Sequence, residues 1–474
     1  MESLTKRKLA FYAFILITAA TLILAGCSSV STGVMQTNPQ TETGASFVTG
    51  TDAPMPSVVS FAVQLQSVNA TDANGNTVSL ISGTPTVDFA RYNGLQTLLD
   101  MNDIPVGTYS NISIVLGGAT IGYLQTQSGS APTIATMAAT YPSSASTFTY
   151  SATLSNPIVI TQAGAPAGLH LDFDLRKSIT VDGTGAITGA VTPTFNVNGV
   201  ANSDPGAYID CFDAAVVSVN GTAQNFVVQG PHGRQFTVNV NGQTEWEDNE
   251  GLSDLTTSSI ITLSGALDKA DATIDADDVA ILSQNGFWAG GLVTSVAQTS
   301  AGDPASSFNL YVRGLLPTTT GLTLGQIATV DLSGNEDFFI YWFHNPLTQF
   351  LFNSSQLLPG QHVSVGGPAS GATNANAVTV NRVVLRDWGY NGTVVANSVN
   401  AANGTFQVQV NGFAGTLIPQ TVTVYTGAKT GFRGGLSGAS SLTSGENVRM
   451  VGLLLVDPLN GNTVMLAHYV DALD

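Results

Sequence analysis

Leu169-His170-Leu171-Asp172-Phe173-Asp174-Leu175 alternates apolar and polar residues without a break. A period of two is the signature of a half-buried β-strand, with Leu169, Leu171, Phe173 and Leu175 on one face and His170, Asp172 and Asp174 on the other. The neighbouring cations Arg176 and Lys177 favour ionised carboxylates, so solvated salt bridging suits Asp172 and Asp174 better than acid–base work. Downstream, Asp182-Gly-Thr-Gly185 is a hairpin turn and Val191 to Val197 a closing strand. Upstream, Val59 to Val68 alternates in the same way, with Val59, Phe61, Val63 and Leu65 on one face. Asp72-Ala-Asn-Gly75 turns the chain into Val78-Ser-Leu80, and Ile112-Ser-Ile114-Val-Leu116 is another alternating strand. Leu95 to Leu99 reads as a short helical or irregular crossing. Residues 46–202 therefore read as one β domain.

Thr51-Asp52-Ala53-Pro54, Pro105-Val-Gly107-Thr-Tyr109 and Leu171-Asp-Phe173-Asp-Leu175-Arg-Lys-Ser-Ile179 together resemble the N-terminal domain of a family of bacterial envelope lipoproteins. The function of that domain is unknown. The resemblance implies a β-sandwich and supplies no catalytic residues, and the segment from Ala119 to Gly164 matches it poorly.

From about Asp210 the chain repeats itself, and repeats outrank motifs in deciding architecture. An opening strand recurs as Ala214-Ala-Val-Val-Ser-Val219, Gly291-Leu-Val-Thr-Ser-Val296 and Gly392 to Val399. Strands with an aromatic anchor follow at Phe226, Phe308 and Phe406, and a third strand comes after each. The fourth recurs as Ile260-Ile-Thr-Leu-Ser-Gly265, Gln361-His-Val-Ser-Val-Gly366 and Asn447-Val-Arg-Met-Val-Gly452, read as ending in glycine, and a fifth closes each unit. Five short strands per unit predict small OB-like barrels over 210–284, 287–386 and 388–474. These units resemble a second domain family of unknown function, found in tandem behind the first. The fold expected is all-β: an N-terminal β-sandwich followed by three five-stranded OB-like barrels.

The start of the chain carries an address. Lys6, Arg7 and Lys8 precede an apolar run from Leu9 to Leu24, and Leu24-Ala25-Gly26-Cys27 follows. This is the layout of an export signal, and its end resembles a bacterial lipobox. The resemblance implies lipidation of Cys27, with residues 1–26 a signal peptide and 27–45 a lipidated, flexible tether. An uncleaved membrane helix is the alternative. Ser28 and Ser29 after the cysteine favour the outer membrane. Beyond the signal, no apolar run is long enough to be a second span.

Only 10% of residues are charged, and the net charge is −18. An acidic surface is repelled by phosphate backbones, which excludes nucleic acid as a partner class. Of the two cysteines, Cys27 is consumed by lipid, which leaves Cys211 alone as a buried apolar residue. No catalytic set, cofactor motif or metal site is expected. The five histidines, among them His170, His232 and His362, are isolated. Asp268, Asp271, Asp275, Asp277 and Asp278 read as an exposed acidic turn, since they lack the regular spacing of a calcium loop. Gly435-Leu-Ser437-Gly438 and Gly427-Ala-Lys429-Thr430 miss the nucleophile-elbow and phosphate-loop patterns.

One segment stands apart. Phe338 to His344, Asn345-Pro346 and Leu347 to Phe352 form an aromatic hairpin inserted in the second barrel. Both of its faces are apolar, so one covers the barrel and the other packs on a neighbouring domain or meets a partner. Tyr341, Trp342 and Phe343 are the candidate partner-binding residues. The functional expectation is a lipid-anchored envelope protein, non-enzymatic, with a structural or binding role towards envelope polysaccharide or protein. The alternative is an envelope enzyme acting on glycans through scattered carboxylates.

Overall fold

The computed structural model describes residues 42–473, apart from 54, 56, 126–132, 163, 232, 268–272, 301, 318–319, 342–349, 373–376 and 411–420. Cys27, Asp268, Asp271, His232, Trp342 and Phe343 thus lie outside the described residues. The protein is all-β and is built from several sheets. Among the described residues, no helix is long and apolar enough to cross a membrane.

Two sheets make the N-terminal domain. One runs in the order Phe195–Ala201, Ala167–Asp174, Thr43–Ala53, Thr97–Pro105. Its two central strands are parallel, because the chain crosses over the second sheet between them. The second sheet is organised on Val58–Asp72 and Gly107–Gln125, joined by Thr77–Ser79, Thr86–Asp88, Thr133–Ala138 and Phe148–Ile160. The inward faces meet over an aromatic core. Phe173 lies 5.0 Å from Phe61 and 4.5 Å, edge-on, from Phe195. The alternating segment thus supplies this core with Leu169, Leu171, Phe173 and Leu175. Leu95 to Leu99 is not a helical crossing: a short 3-10 turn comes earlier, at Phe89–Tyr92, and Thr97 already begins a strand. Asp182 accepts backbone bonds from Thr184 and Ala186, which closes the hairpin of Ile179–Val181 and Ile187–Val191.

Behind this domain one strand pattern occurs three times. Ile209–Asn220, Asn225–Gln229 and Gln235–Asn239 form an antiparallel meander. The fourth strand, Ile260–Leu267, pairs with the first, and the fifth, Ile274–Ser283, pairs with the fourth and runs parallel to the third. Gly286–Ala297, Ser307–Leu316, Ile327–Asp331 and His362–Pro368 repeat the order, with Ala377–Thr379 and Arg382–Arg386 sharing the fifth place. Trp388–Val394, Thr405–Val410, Thr421–Arg433, Asn447–Val456 and Thr463–Ala472 close a complete barrel. In the first and third repeats the third strand pairs in parallel with the fifth and seals the meander, whereas the second is a seven-stranded sheet that ends on Asp337–Ile340 and Ala377–Thr379.

The recurring glycine lies inside the fourth strand rather than after it. At Gly265 and Gly452 the register shifts, and a Cβ would fall 2.2 and 2.1 Å from the carbonyl oxygens of Asp275 and Leu466 on the fifth strand. Glycine is what lets the two backbones approach where the barrel bends.

Residues 42–474 pack as one compact unit, because hydrophobic clusters run across the sheets. Leu453, Leu455, Val464 and Leu466 of the last barrel join the core of the preceding one. Phe47, Leu98 and Met101 of the N-terminal domain join the core of the first barrel.

Candidate functional site

Where the sheets converge, the interior turns polar. Arg91 leaves the 3-10 turn of the N-terminal domain, Asp213 the opening strand of the first barrel, and Arg386 the last strand of the second. All three are buried. Asp213 is shared: Arg91 Nη2 donates to one carboxylate oxygen, and Arg386 Nη1 to the other at 3.1 Å. Burial by itself would raise the Asp213 carboxyl, but Arg386 and Arg91 outweigh it and hold the group below the ordinary carboxylate range. Arg386 also donates to Ser364 Oγ at 3.0 Å, Thr262 Oγ1 at 2.8 Å and Cys211 Sγ at 2.8 Å. Cys211 is buried as expected, but its neighbours are guanidinium and hydroxyl groups, not only hydrocarbon. Burial pushes its thiol pKa up, which keeps it unreactive.

Aromatic faces complete the cluster. Arg91 lies 5.1 Å from the Trp288 ring centre, Arg386 4.9 Å from Tyr341, and Arg313 5.3 Å from Trp388. Tyr341 is therefore interior. Its hydroxyl sits 2.7 Å from Ser264 Oγ of the first repeat, so this end of the aromatic segment packs between modules, and the strand before it, Asp337–Ile340, pairs in parallel with Arg382–Arg386 rather than in the expected hairpin. Further arginines bind sheet to sheet. Arg382 reaches Glu250, Asp248 and Asp337 at 2.9, 3.2 and 2.9 Å, and Arg234 meets Asp100 at 3.1 Å. Among the described residues, Arg91, Arg234, Arg313, Arg382, Arg386 and Arg449 each reach from one sheet to another. Two interior positions were legible as anomalies: Arg313 and Arg386 interrupt runs of apolar strand residues.

A space of about 20 Å³ lies directly beside Arg91, Asp213 and Arg234, and two further spaces adjoin the cluster. One, of about 30 Å³, is lined by Asp210, Cys211, Tyr341, Arg386, Asp387 and His468. Burial raises the Asp210 carboxyl to about 6, opposed by the Gln96 backbone N–H that it accepts at 2.8 Å. His468 Nδ1 lies 2.9 Å from Asp387. The other space is a cavity of about 460 Å³ between the second sheet of the N-terminal domain and the second barrel. Ser60, Thr86, Asp88, Tyr311, Arg313 and Gln326 are among its walls.

The remaining expected residues lie elsewhere. Asp174 is buried: its side chain caps the short helix Leu175–Ser178 by accepting from the Lys177 N–H at 3.0 Å, and it pairs with Lys177 Nζ at 2.8 Å. The acidic segment is not an exposed turn where it is described. Asp275, Asp277 and Asp278 lie on the strand Ile274–Ser283, and period two turns Asp277 outward and Asp278 fully inward. Burial, with Glu247 and Glu245 adding to it, pushes the Asp278 carboxyl to about 8. His362 is buried, its Nδ1–H donates to the Asp387 carbonyl oxygen at 3.1 Å, and burial, with Arg313 and Arg386 nearby, lowers its pKa well below the ordinary value and holds it neutral. Among the described residues, no three His, Cys, Asp or Glu side chains gather as a metal site would require.

The architecture defines an all-β protein of several sheets whose N-terminal part carries a known domain. Residues 47–188 match the model of a domain of unknown function, DUF4382. The matched span includes Ala119 to Gly164, the segment that resembles the family poorly in sequence. No curated protein matches the chain.

Proposed function

We propose that this chain is a lipid-anchored protein of the cell envelope, directed to the outer membrane, whose β modules form a rigid, non-enzymatic scaffold that binds envelope polysaccharide. The lipobox ending at Cys27 supports the anchor. The cavity of about 460 Å³ carries the binding reading. It falls in the size range of small-molecule sites, and its walls mix hydroxyl groups with two aromatic side chains, Tyr92 and Tyr311, a lining suited to sugars.

The rival, a glycan-acting enzyme, rests on Asp210 and Asp387. A glycosidase needs two carboxylates flanking a bond of the bound sugar. The space beside these two, about 30 Å³, has room for a water molecule and not a sugar ring.

The test uses the full chain in detergent, sedimented with purified cell-wall and exopolysaccharide fractions beside a Trp342→Ala copy. Co-sedimentation of the wild-type chain is expected. Loss in the variant would move the site to the aromatic hairpin. Absence of sedimentation with every fraction would sink the glycan reading in favour of a protein partner. Release of reducing ends that disappears in Asp210→Asn would replace binding by catalysis. For the anchor, Cys27→Ala should accumulate as unprocessed precursor, and a variant cleaved and released at normal size would refute it.

A further inference from the structure

The larger cavity owes its shape to period two. On Val58–Asp72, Phe61 and Val63 enter the domain core and leave Ser60 and Ala62 on the outer face. On Gly107–Gln125, Ile121 goes in while Thr120 and Gly122 stay out. On the barrel side, Leu310 and Val312 fill the barrel core, and Tyr311 leaves the strand towards the sheet. Tyr311 spans the gap as a strut: its hydroxyl is hydrogen-bonded to Ser60, and a Cβ on Gly122 would fall 2.4 Å from it. Beside the strut, the small side chains of the sheet leave the space open.

The charges around this cavity are turned to one another and not to a ligand. Arg313 is wholly withdrawn from solvent, with Asp88 at its Nε and the Trp388 ring against its face. Arg91 is paired with Asp213. Asp88 accepts the Phe61 N–H through one oxygen, at 2.7 Å, and lies 3.5 Å from Arg313 through the other. A charged ligand would therefore shed its hydration here and meet no counter-ion, and an anion would also face the Asp88 carboxylate. What the space does present is uncharged. Thr86, Thr120 and Gln326 are exposed, and Thr136 and Tyr92 are half-buried. Hydroxyls and an amide each donate and accept, as sugar hydroxyls do. Leu324, 54% exposed, and the Tyr92 ring add apolar surface of the kind on which the C–H faces of a sugar pack.

We propose that the cavity selects uncharged sugars: a neutral pyranose bonds through its hydroxyls to Thr86, Thr120, Thr136 and Gln326 and packs a C–H face on Tyr92, and acidic sugars are excluded. This assignment rests on the glycan-binding reading and names the sugar class, the site and the basis of selection. The chain's net charge of −18 acts in the same sense at longer range, since it repels acidic polysaccharide before contact.

Isothermal titration of the full chain in detergent tests this, with glucose, galactose and N-acetylglucosamine as the neutral sugars. Glucuronate and galacturonate differ from the first two by a carboxylate in place of the hydroxymethyl group, and cyclohexanol supplies a ring without the array of hydroxyls. At least one neutral sugar should bind, about tenfold or more tightly than either uronate or cyclohexanol. Gln326→Ala should weaken it by about 3- to 10-fold. Thr120 is exposed on its strand, so Thr120→Trp fills the cavity from the rim without entering the core, and it should abolish binding. If Thr120→Trp does not fold, Gln326→Ala decides. No binding of any neutral sugar, a uronate or cyclohexanol bound as tightly, or sugar binding unchanged in a folded Thr120→Trp or Gln326→Ala would each overturn the assignment. Polysaccharide that still sediments with Thr120→Trp would leave the glycan reading standing and remove only this site.

Discussion

Asp278 shows how a single residue couples this interior to pH. Its carboxyl titrates near 8 in the folded protein because it is buried beside Glu247 and Glu245. In the unfolded chain it titrates at about 3.9. Between those values the folded state holds the extra proton, so stability falls as pH rises through the window and levels off above it. Asp210 contributes in the same sense up to about 6. Asp52, buried and raised well above the ordinary carboxylate range, adds to this fall, and His362, which burial lowers well below the ordinary imidazole value, opposes it up to its unfolded value, so Asp278 supplies one component of the slope, at no more than about 1.4 kcal/mol per pH unit. Urea unfolding at intervals from pH 6 to 9 should show the stability of Asp278→Asn falling less steeply with pH than that of the wild type, with the variant the more stable at pH 9. Parallel curves for the two proteins would contradict the buried, protonated state of Asp278. Asp213 works in the opposite direction: its ion pairs stabilise the fold above the unfolded carboxylate value and are lost on acidification below its depressed one. In the sequence both are simply aspartates. Period two even marks Asp277 and Asp278 as facing opposite ways, but it does not say which face is covered.

At the scale of elements, the contact between the last barrel and the N-terminal domain depends on bare backbone. Asn93 Nδ2 donates to the Gly389 carbonyl at 2.8 Å, and a Cβ on Gly389 would fall 2.5 Å from Asn93. Gly389→Ala should displace Asn93 and break this buried bond, at a cost of about 1–3 kcal/mol. Thermal melting read beside Gly118→Ala checks this, since a Cβ on Gly118 meets nothing within 4 Å and that variant should melt as the wild type does. Equal melting points for all three would show that the junction tolerates the side chain. Strand order was legible beforehand because each barrel repeats its own turns and apolar alternation, and these are local signals. The crossing at Leu95 to Leu99 is irregular only at Leu95 and Gln96 and becomes strand from Thr97, because its apolar residues serve two neighbouring clusters, Leu99 one and Leu98 another, and so show no clean period.

At the scale of the whole molecule, the modules share cores and one ion cluster. Calorimetry of the full chain should show a single main transition for residues 42–474. Asp213→Ala leaves Arg91 and Arg386 buried without their common acceptor, and breaking a buried pair in this way costs about 3–5 kcal/mol. The variant should therefore melt earlier, and independent transitions for separate barrels in the wild type would disprove the coupling.

The sequence by itself determined the strand class, the turns and the fivefold strand rhythm of the repeats, because alternation and turn chemistry act between residues close along the chain. Only the tertiary structure decided that Arg386 and Asp213, 173 residues apart, share a bond, and that small side chains opposite Arg313 leave a cavity. Such pairings depend on which faces the topology brings together, and a period of two is the same on a strand that faces water and on one that faces another module.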